Sequence, residues 1–262
     1  MEKITSLQNP RVKQIRRLRE RKTREAEQRF LIDYERDLER ALAQGFEVDY
    51  LFYCSDLDRE GMLLPESLIF EVERDLMEKV SYRENPSSLV AVMKIPSPRP
   101  LSDLLSGEES LLLCLVGLEK PGNVGALLRS ADAAGFSAVL LVDSPFDLYN
   151  PNLIRASTGA IFLGNVYQST SPEALQLLKA ARYQCVGAIV DGSVSLFEVD
   201  FRPHTALILG TEDIGLDERW KAACDVAARI PMQGLIADSL NVSVSGALFM
   251  YEAVRQRLKG TL

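Results

Sequence analysis

Residues 111–142, LLLCLVGLEKPGNVGALLRSADAAGFSAVLLV, hold an apolar run, a loop with two glycines, a helix-compatible stretch and a second apolar run. The runs near 111–118 and 138–143 are far shorter than the ~20 residues a bilayer span needs, and they have the length of buried strands. The stretch 123–135 between them reads as a helix. The same alternation continues to the C-terminus, with strands near 185–190, 205–210 and 226–231 and helices near 151–162, 172–182, 217–224 and 239–258. Continuous apolar strands separated by amphipathic helices imply a parallel sheet covered on both faces. In such sheets ligands gather in the loops at the carboxyl ends of the strands.

The first third has a different texture. SLQNPRVKQIRRLRERKTREAEQ is helix-forming after Pro10, and VDYLFYC (48–54) and SLVAVMKI (88–95) are strand candidates, so this is a mixed α/β module. The proline-rich stretch that follows is the best linker in the chain. The expected organisation is a small α/β domain over 1–95, a linker over 96–107 and a parallel-sheet domain over 108–262.

With 47% hydrophobic and 26% charged residues the chain has the composition of an ordinary globular protein. Its net charge of −7 argues against nucleic acid, but the distribution reverses the hint. Residues 1–29 hold ten Lys and Arg, among them Arg11, Lys13, Arg16, Arg17 and Arg19, against four Glu. A basic segment on an acidic chain is an electrostatic footprint for phosphates, although a solvated charged helix would look the same. The four cysteines are scattered singly, so buried thiols are expected rather than a metal site or a disulfide framework. No metal and no membrane span are expected, and with no apolar h-region at the N-terminus the chain is expected to be cytoplasmic.

Three loops carry the chemistry. In EKPGNVGALLRSADAAG, after the strand at 111–118, Pro121 and Gly122 suit a tight turn, Asn123 suits a helix N-cap, and Arg129 lies within two turns of the helix start. The segment lacks the glycine fingerprint of a dinucleotide site and the lysine of a P-loop, so hydride transfer and NTP hydrolysis lose support. In LILGTEDIGL, Gly210 and Gly215 bracket Thr211, Glu212 and Asp213 at a strand end. There a carboxylate can meet a cation or orient an arginine. The single histidine, His204, falls at the other end of that strand, so histidine base chemistry is not expected.

The third loop leads from the strand at 226–231 into SLNVSVSGALFMYE, 239–252, whose opening alternates polar and apolar residues like a strand. At helical spacing Leu240, Val244, Ala247, Leu248, Tyr251, Val254 and Leu258 form one stripe instead. The segment therefore reads as a helix capped by Asp238 or Ser239, with Asn241 and Ser245 on a second face. Its start suits an anionic group.

In this order, GNVGALLRSADAAG, LILGTEDIGL and IPMQGLIADSLNVSVSGALFMYEAV resemble the three motifs of the SpoU (TrmH) family of S-adenosylmethionine-dependent RNA ribose 2′-O-methyltransferases. NPNLIRASTGAIF (150–162) resembles a further stretch of that family, and ITSLQNPRVKQIRRL with RFLIDYERDLERAL resembles its N-terminal substrate-binding domain. The resemblance implies a methyltransferase domain whose chain is tied in a deep trefoil knot, preceded by a small α/β RNA-binding domain. It also implies a homodimer acting on RNA, where the added N-terminal domain favours ribosomal RNA by analogy and the alternatives are a transfer RNA substrate or a non-catalytic RNA-binding protein of the same fold. Residue by residue it places S-adenosylmethionine among Gly210, Thr211, Gly215, Ile230, Met232 and Leu240. It assigns Asn123, Arg129, Glu212, Ser239 and Asn241 to catalysis, and Arg155 is a candidate phosphate contact or ion-pair partner. Two positions depart from the family pattern: Asp213 stands where glycine is common, and Asp33-Tyr34 replaces Glu-Gly. An arginine is a poor proton acceptor, so Arg129 is expected to clamp the phosphate beside the target ribose, with proton acceptance falling to that phosphate and to Glu212.

Overall fold

The structure, a computed structural model, describes residues 2–57, 65–82, 85–105, 110–145 and 147–259. The last two residues of the expected linker, 106–107, lie outside these. The chain divides into two compact units: Met1–Ser97 with Asp147–Leu163, and Pro98–Phe146 with Gly164–Leu262.

The first unit comprises β1 (Glu2–Ile4), α1 (Pro10–Arg17), α2 (Arg21–Glu27), β2 (Arg29–Ile32), α3 (Glu35–Ala43), β3 (Val48–Tyr53), β4 (Ile69–Val72), α4 (Arg74–Val80) and β5 (Leu89–Lys94). Its five-stranded sheet runs β1-β4-β3-β5-β2, with β4 parallel to both neighbours and β5 antiparallel to both of its own. Helix α1 starts where it does because the Asn9 side chain accepts the Arg11 N–H at 2.9 Å and Pro10 occupies the first helical position, where no amide is needed. Val12, Ile15 and Leu18, three residues apart, then face the core and leave Lys13, Arg16 and Arg17 outside.

The segment Asp147–Leu163, from the middle of the expected parallel-sheet domain, packs in this first unit. Arg24 is 2% exposed, and its Nε donates to Asp147 Oδ2 at 2.5 Å while Nη1 reaches the carbonyls of Leu18 and Arg19 at 2.7 Å. A buried guanidinium needs that many acceptors to offset its lost hydration. Tyr149 stacks on Phe30 with centroids 4.4 Å apart, Phe162 meets the Phe46 edge at 5.2 Å, and Arg40 donates to the Thr158 carbonyl. Within the segment, α6 (Pro151–Ser157) repeats the start signal of α1: the Asn150 side chain caps it and Pro151 opens it.

The second unit holds β6 (Leu111–Val116), α5 (Pro121–Ala133), β7 (Ala138–Val142), β8 (Val166–Ser169), α7 (Ser171–Ala180), β9 (Gln184–Ala188), β10 (Val194–Ser195), β11 (Thr205–Leu209), α8 (Glu218–Ala223), β12 (Val226–Arg229) and α9 (Val242–Lys259). The sheet order is β10-β12-β9-β11-β6-β7-β8, and every adjacent pair is parallel. The short β8 and β10 have no apolar run behind them and escape a reading by hydrophobicity.

Side chains alternate across a strand. Leu112, Cys114, Ala206 and Ile208 point to one face with Leu177, Leu178 and Trp220 of α7 and α8, whereas Leu209 points to the other, against α5 and α9. Cys54, Cys114 and Cys185 are buried and Cys224 partly so; burial pushes the Cys185 thiol up to about 12 and the Cys224 thiol up to about 11. Gly246 lets α9 approach closely, because a Cβ there would meet Leu127 of α5 and Leu209. Among the described residues no helix is long and apolar enough to cross a membrane.

Candidate active site

The connection from β6 runs outward to β7, whereas the connection from β11, its neighbour, runs the other way to β12. Strand connections that diverge from two adjacent parallel strands open a crevice at their carboxyl ends. A cleft of about 550 Å³ lies at this edge of the sheet, walled by the loops after β9, β11 and β12 and by the start of α9.

The loop after β11 is a tight hairpin. Thr211 N–H donates to the Gly215 carbonyl at 3.1 Å and Gly215 N–H returns to the Thr211 carbonyl at 3.2 Å. Gly215 has φ of +68°, and a Cβ on Gly210 would collide with the Gly215 carbonyl group. Both glycines are thus required by the turn itself. The turn holds Glu212 where the Asn123 Nδ2 donates to its Oε1, across the gap between the β11 and β6 loops. Asn241 Nδ2 in turn donates to Asn123 Oδ1 at 3.3 Å. Three side chains from three distant segments form one hydrogen-bonded chain, Asn241 to Asn123 to Glu212.

Two expected helix caps are corrected here. Asn123 is not an N-cap: α5 begins at Pro121, which places Asn123 in its first turn with its side chain turned to Glu212. Neither Asp238 nor Ser239 caps α9, which begins at Val242. Asn241 takes that place, accepting the Ser243 N–H at 2.9 Å and the Ser243 hydroxyl at 2.6 Å. Residues 239–241 therefore belong to the loop, and both Asp238 and Ser239 line the cleft. The stripe at Val244, Leu248, Tyr251 and Leu258 faces outward, with Tyr251 52% exposed, whereas Phe249, Met250 and Ala253 are buried.

Gly210, Thr211, Gly215, Ile230, Met232 and Leu240 all line the cleft, together with Glu212, Asp213, Ser239 and Asn241. Arg129 lies on α5 outside the cleft lining, exposed and without an ion-pair partner among the described residues. His204 stands at the opposite end of β11.

Asp191, Lys120, Lys221 and Phe249 line the cleft without having been singled out from the sequence. The turn after β9, bearing Asp191, carried a readable signal, an Asp-Gly pair at a parallel-strand end. Its fold is pinned by Gly192, where a Cβ would meet the Ala227 carbonyl, and by Arg229, which donates to the Gly192 carbonyl at 2.6 Å. Lys221 donates to Glu218 at 3.0 Å, and that contact, with Asp191 farther off, raises its pKa.

In the first unit Lys13, Arg16 and Arg155 are exposed with no ion-pair partner among the described residues. Arg17 pairs with Glu27 at 2.8 Å, Arg11 lies over the Phe70 ring at 4.1 Å, and Arg19 donates to carbonyls at the end of α4.

The sequence pattern of the SpoU rRNA Methylase family matches residues 110–251, and that of the MRM3-like substrate binding domain matches residues 9–91. The 23S rRNA (uridine(2479)-2′-O)-methyltransferase of Streptomyces viridochromogenes is 33% identical over 92% of this chain and 87% of its own. A solved RNA 2′-O ribose methyltransferase superposes with TM-score 0.82 at 40% identity, covering 98% of this chain and 99% of that one. An AdoMet-bound rRNA methyltransferase from Sinorhizobium meliloti superposes with TM-score 0.86 at 29% identity, covering 97% of each chain. With one family pattern matching residues 110–251 and a relative 33% identical over 92% of the sequence, this chain belongs to the SpoU rRNA methylase family.

Proposed function

We propose that the protein transfers a methyl group from S-adenosylmethionine to a ribose 2′-hydroxyl of ribosomal RNA. The observation that carries this reading is the Asn241–Asn123–Glu212 chain at the mouth of the cleft. The ribosomal preference rests on relatives named as acting on 23S rRNA, and a ribosomal substrate supports a cytoplasmic location.

The cleft fits the cofactor. Its volume lies within the ~300–1,000 Å³ typical of small-molecule sites. Gly210 and Gly215 line it with bare backbone, and Leu209, Leu216, Ile230 and Phe249 offer apolar walls. Gly210, Thr211, Gly215, Ile230, Met232 and Leu240 would hold it. When bound, S-adenosylmethionine supplies an electrophilic sulfonium methyl, so the protein must mainly position one oxygen and receive its proton.

Asn123 and Asn241 fix the Glu212 carboxylate, and its second oxygen, Oε2, takes the hydrogen of the ribose hydroxyl. Arg129 clamps the adjacent phosphate and stabilises charge as the hydroxyl oxygen attacks. Ser239 orients the ribose from the loop before α9. Arg11, Lys13, Arg16, Arg17, Arg19 and Arg155 hold the RNA backbone. Residues 1–95 serve RNA binding and 108–262 catalysis, with Asp147–Leu163 joined to the former. A second copy of the chain covers the outward apolar face of α9, and the C-terminal part of the chain passes through a loop of its own unit as a trefoil knot.

RNA rather than DNA is the substrate because only RNA carries the 2′-hydroxyl. The test is a map of 2′-O-methylation across total RNA from cells with and without the protein, repeated with Arg129→Lys. A single methyl missing from ribosomal RNA, unrestored by the lysine variant, is expected. An unchanged map sinks the reading, and full restoration by lysine sinks the role of Arg129.

A further inference from the structure

One face of the first unit gathers groups suited to a nucleobase rather than to a phosphate alone. Tyr82 lies two residues past the end of α4 and is 36% exposed, the only aromatic side chain among the described first-unit residues to expose that much. Both ends of the side chain are addressed by neighbours. Asn152 Nδ2 lies 3.5 Å from its hydroxyl, and the Arg19 guanidinium lies 5.9 Å from its ring centroid. Arg19 is held there by the carbonyls of Val80 at 3.1 Å and Ser81 at 2.6 Å, which close the end of α4. On α6, Arg155 follows Asn152 by three residues, so the two share one side of the helix about 5–6 Å apart at their Cβ atoms. Both are exposed.

A ring with an open surface, a planar cation beside it, an amide at its hydroxyl and a second cation one turn away are the parts that single-stranded RNA sites use. Bases stack on aromatic and guanidinium planes, amides read base edges, and a nearby arginine takes the phosphate. We infer that Tyr82, with Arg19, Asn152 and Arg155, forms a stacking platform that takes one unpaired base of the substrate RNA. The inference rests on the RNA substrate proposed above but adds a contact outside the cleft. The platform draws Tyr82 and Arg19 from the N-terminal part of the chain and Asn152 and Arg155 from the segment Asp147–Leu163, which packs in the same unit.

The test uses the full chain and an unmodified 23S ribosomal RNA transcript. Tyr82→Ala should raise the KM for RNA about tenfold, the order expected for one lost stacking contact. Its kcat and its affinity for S-adenosylhomocysteine should stay unchanged, and an unaltered thermal unfolding curve shows that the first unit of the variant is folded. Tyr82→Trp should keep KM within about twofold, and Arg155→Ala should reduce the salt dependence of binding by about one phosphate contact. An alanine variant with unchanged KM overturns the platform while leaving the methyltransferase reading intact. If the transcript is not methylated by the unaltered protein, 4-thiouridine crosslinking decides independently: a crosslink at Tyr82 supports the platform, and RNA crosslinked only elsewhere, or a protein partner captured there instead, overturns it.

Discussion

At its amino end β11 begins beside His204, whose ring stacks on Tyr183 with centroids 3.6 Å apart and whose Nδ1 accepts the Ser110 N–H at 3.0 Å. At its carboxyl end the same strand runs into the hairpin that carries Glu212. Both ends are polar, hydrogen-bonded and partly buried. The carboxyl end sits where connections diverge and leave a crevice, and there Asn123, Glu212 and Asn241 from three remote segments meet at the cleft. At the amino end the histidine ties the start of β11 to Ser110 and Tyr183 and so holds a strand in place. Chemical type is thus a poor guide to chemistry here, and the position along a parallel strand is a good one.

The largest expected effect breaks the carboxyl end. Glu212→Gln keeps an acceptor for Asn123 but is a far poorer proton acceptor, so kcat should fall by about 10²-fold or more, the usual worth of a positioned base. Affinity for S-adenosylhomocysteine should change little in calorimetry, and a variant that turned over normally would remove Glu212 from the mechanism.

Next in size is Gly246→Ala, which affects neither polar end directly. The added methyl must displace Leu127 or Leu209, so urea unfolding should show a loss of about 1–3 kcal/mol, as overpacked cores do. Because α9 starts at the cleft, ligand affinity should fall with it; a neutral result would mean that the α5–α9 contact is loose.

The smallest effect belongs to the amino end. Burial, and then the nearby Arg257, hold the His204 pKa below its ordinary value. The unfolded chain therefore binds the proton more readily than the folded one. The stability tied to the neutral ring is present above the ordinary histidine pKa of ~6.5 and is lost as pH falls through the folded value. His204→Gln should flatten that acidic part of a Tm-against-pH curve, cost about 1 kcal/mol or less at neutral pH, and leave kcat alone. A large loss of kcat would contradict the contrast between the two ends.

Much of this was legible in the residues. The apolar runs at 111–118 and 205–210 located β6 and β11 because a strand buried on both faces has no polar side to hide. The glycines at 210 and 215 marked the hairpin because few other residues satisfy its geometry. The short β8 and β10 were not legible, since edge strands of four and two residues bury too little to leave a pattern. Asp191 was passed over because an Asp-Gly pair after a strand is first of all a turn signal, and only the cleft gives that turn a purpose.

By itself, then, the sequence determined the parallel α/β class, the loops that carry the polar residues and the helical nature of the segment read at 239–258, of which the first three residues are loop, because burial and turn chemistry are local and periodic. Tertiary structure decided three other things. It put Asp147–Leu163 with the first unit, through the buried Arg24–Asp147 pair and the aromatic contacts of Tyr149 and Phe162. It turned Phe249, Met250 and Ala253 inward on α9 and left Val244, Leu248 and Tyr251 outside, although both sets are apolar and periodicity alone cannot rank them. It also joined Asn241, Asn123 and Glu212 into one chain. Each of these is a choice between partners remote in sequence, and no local preference along the chain can express it.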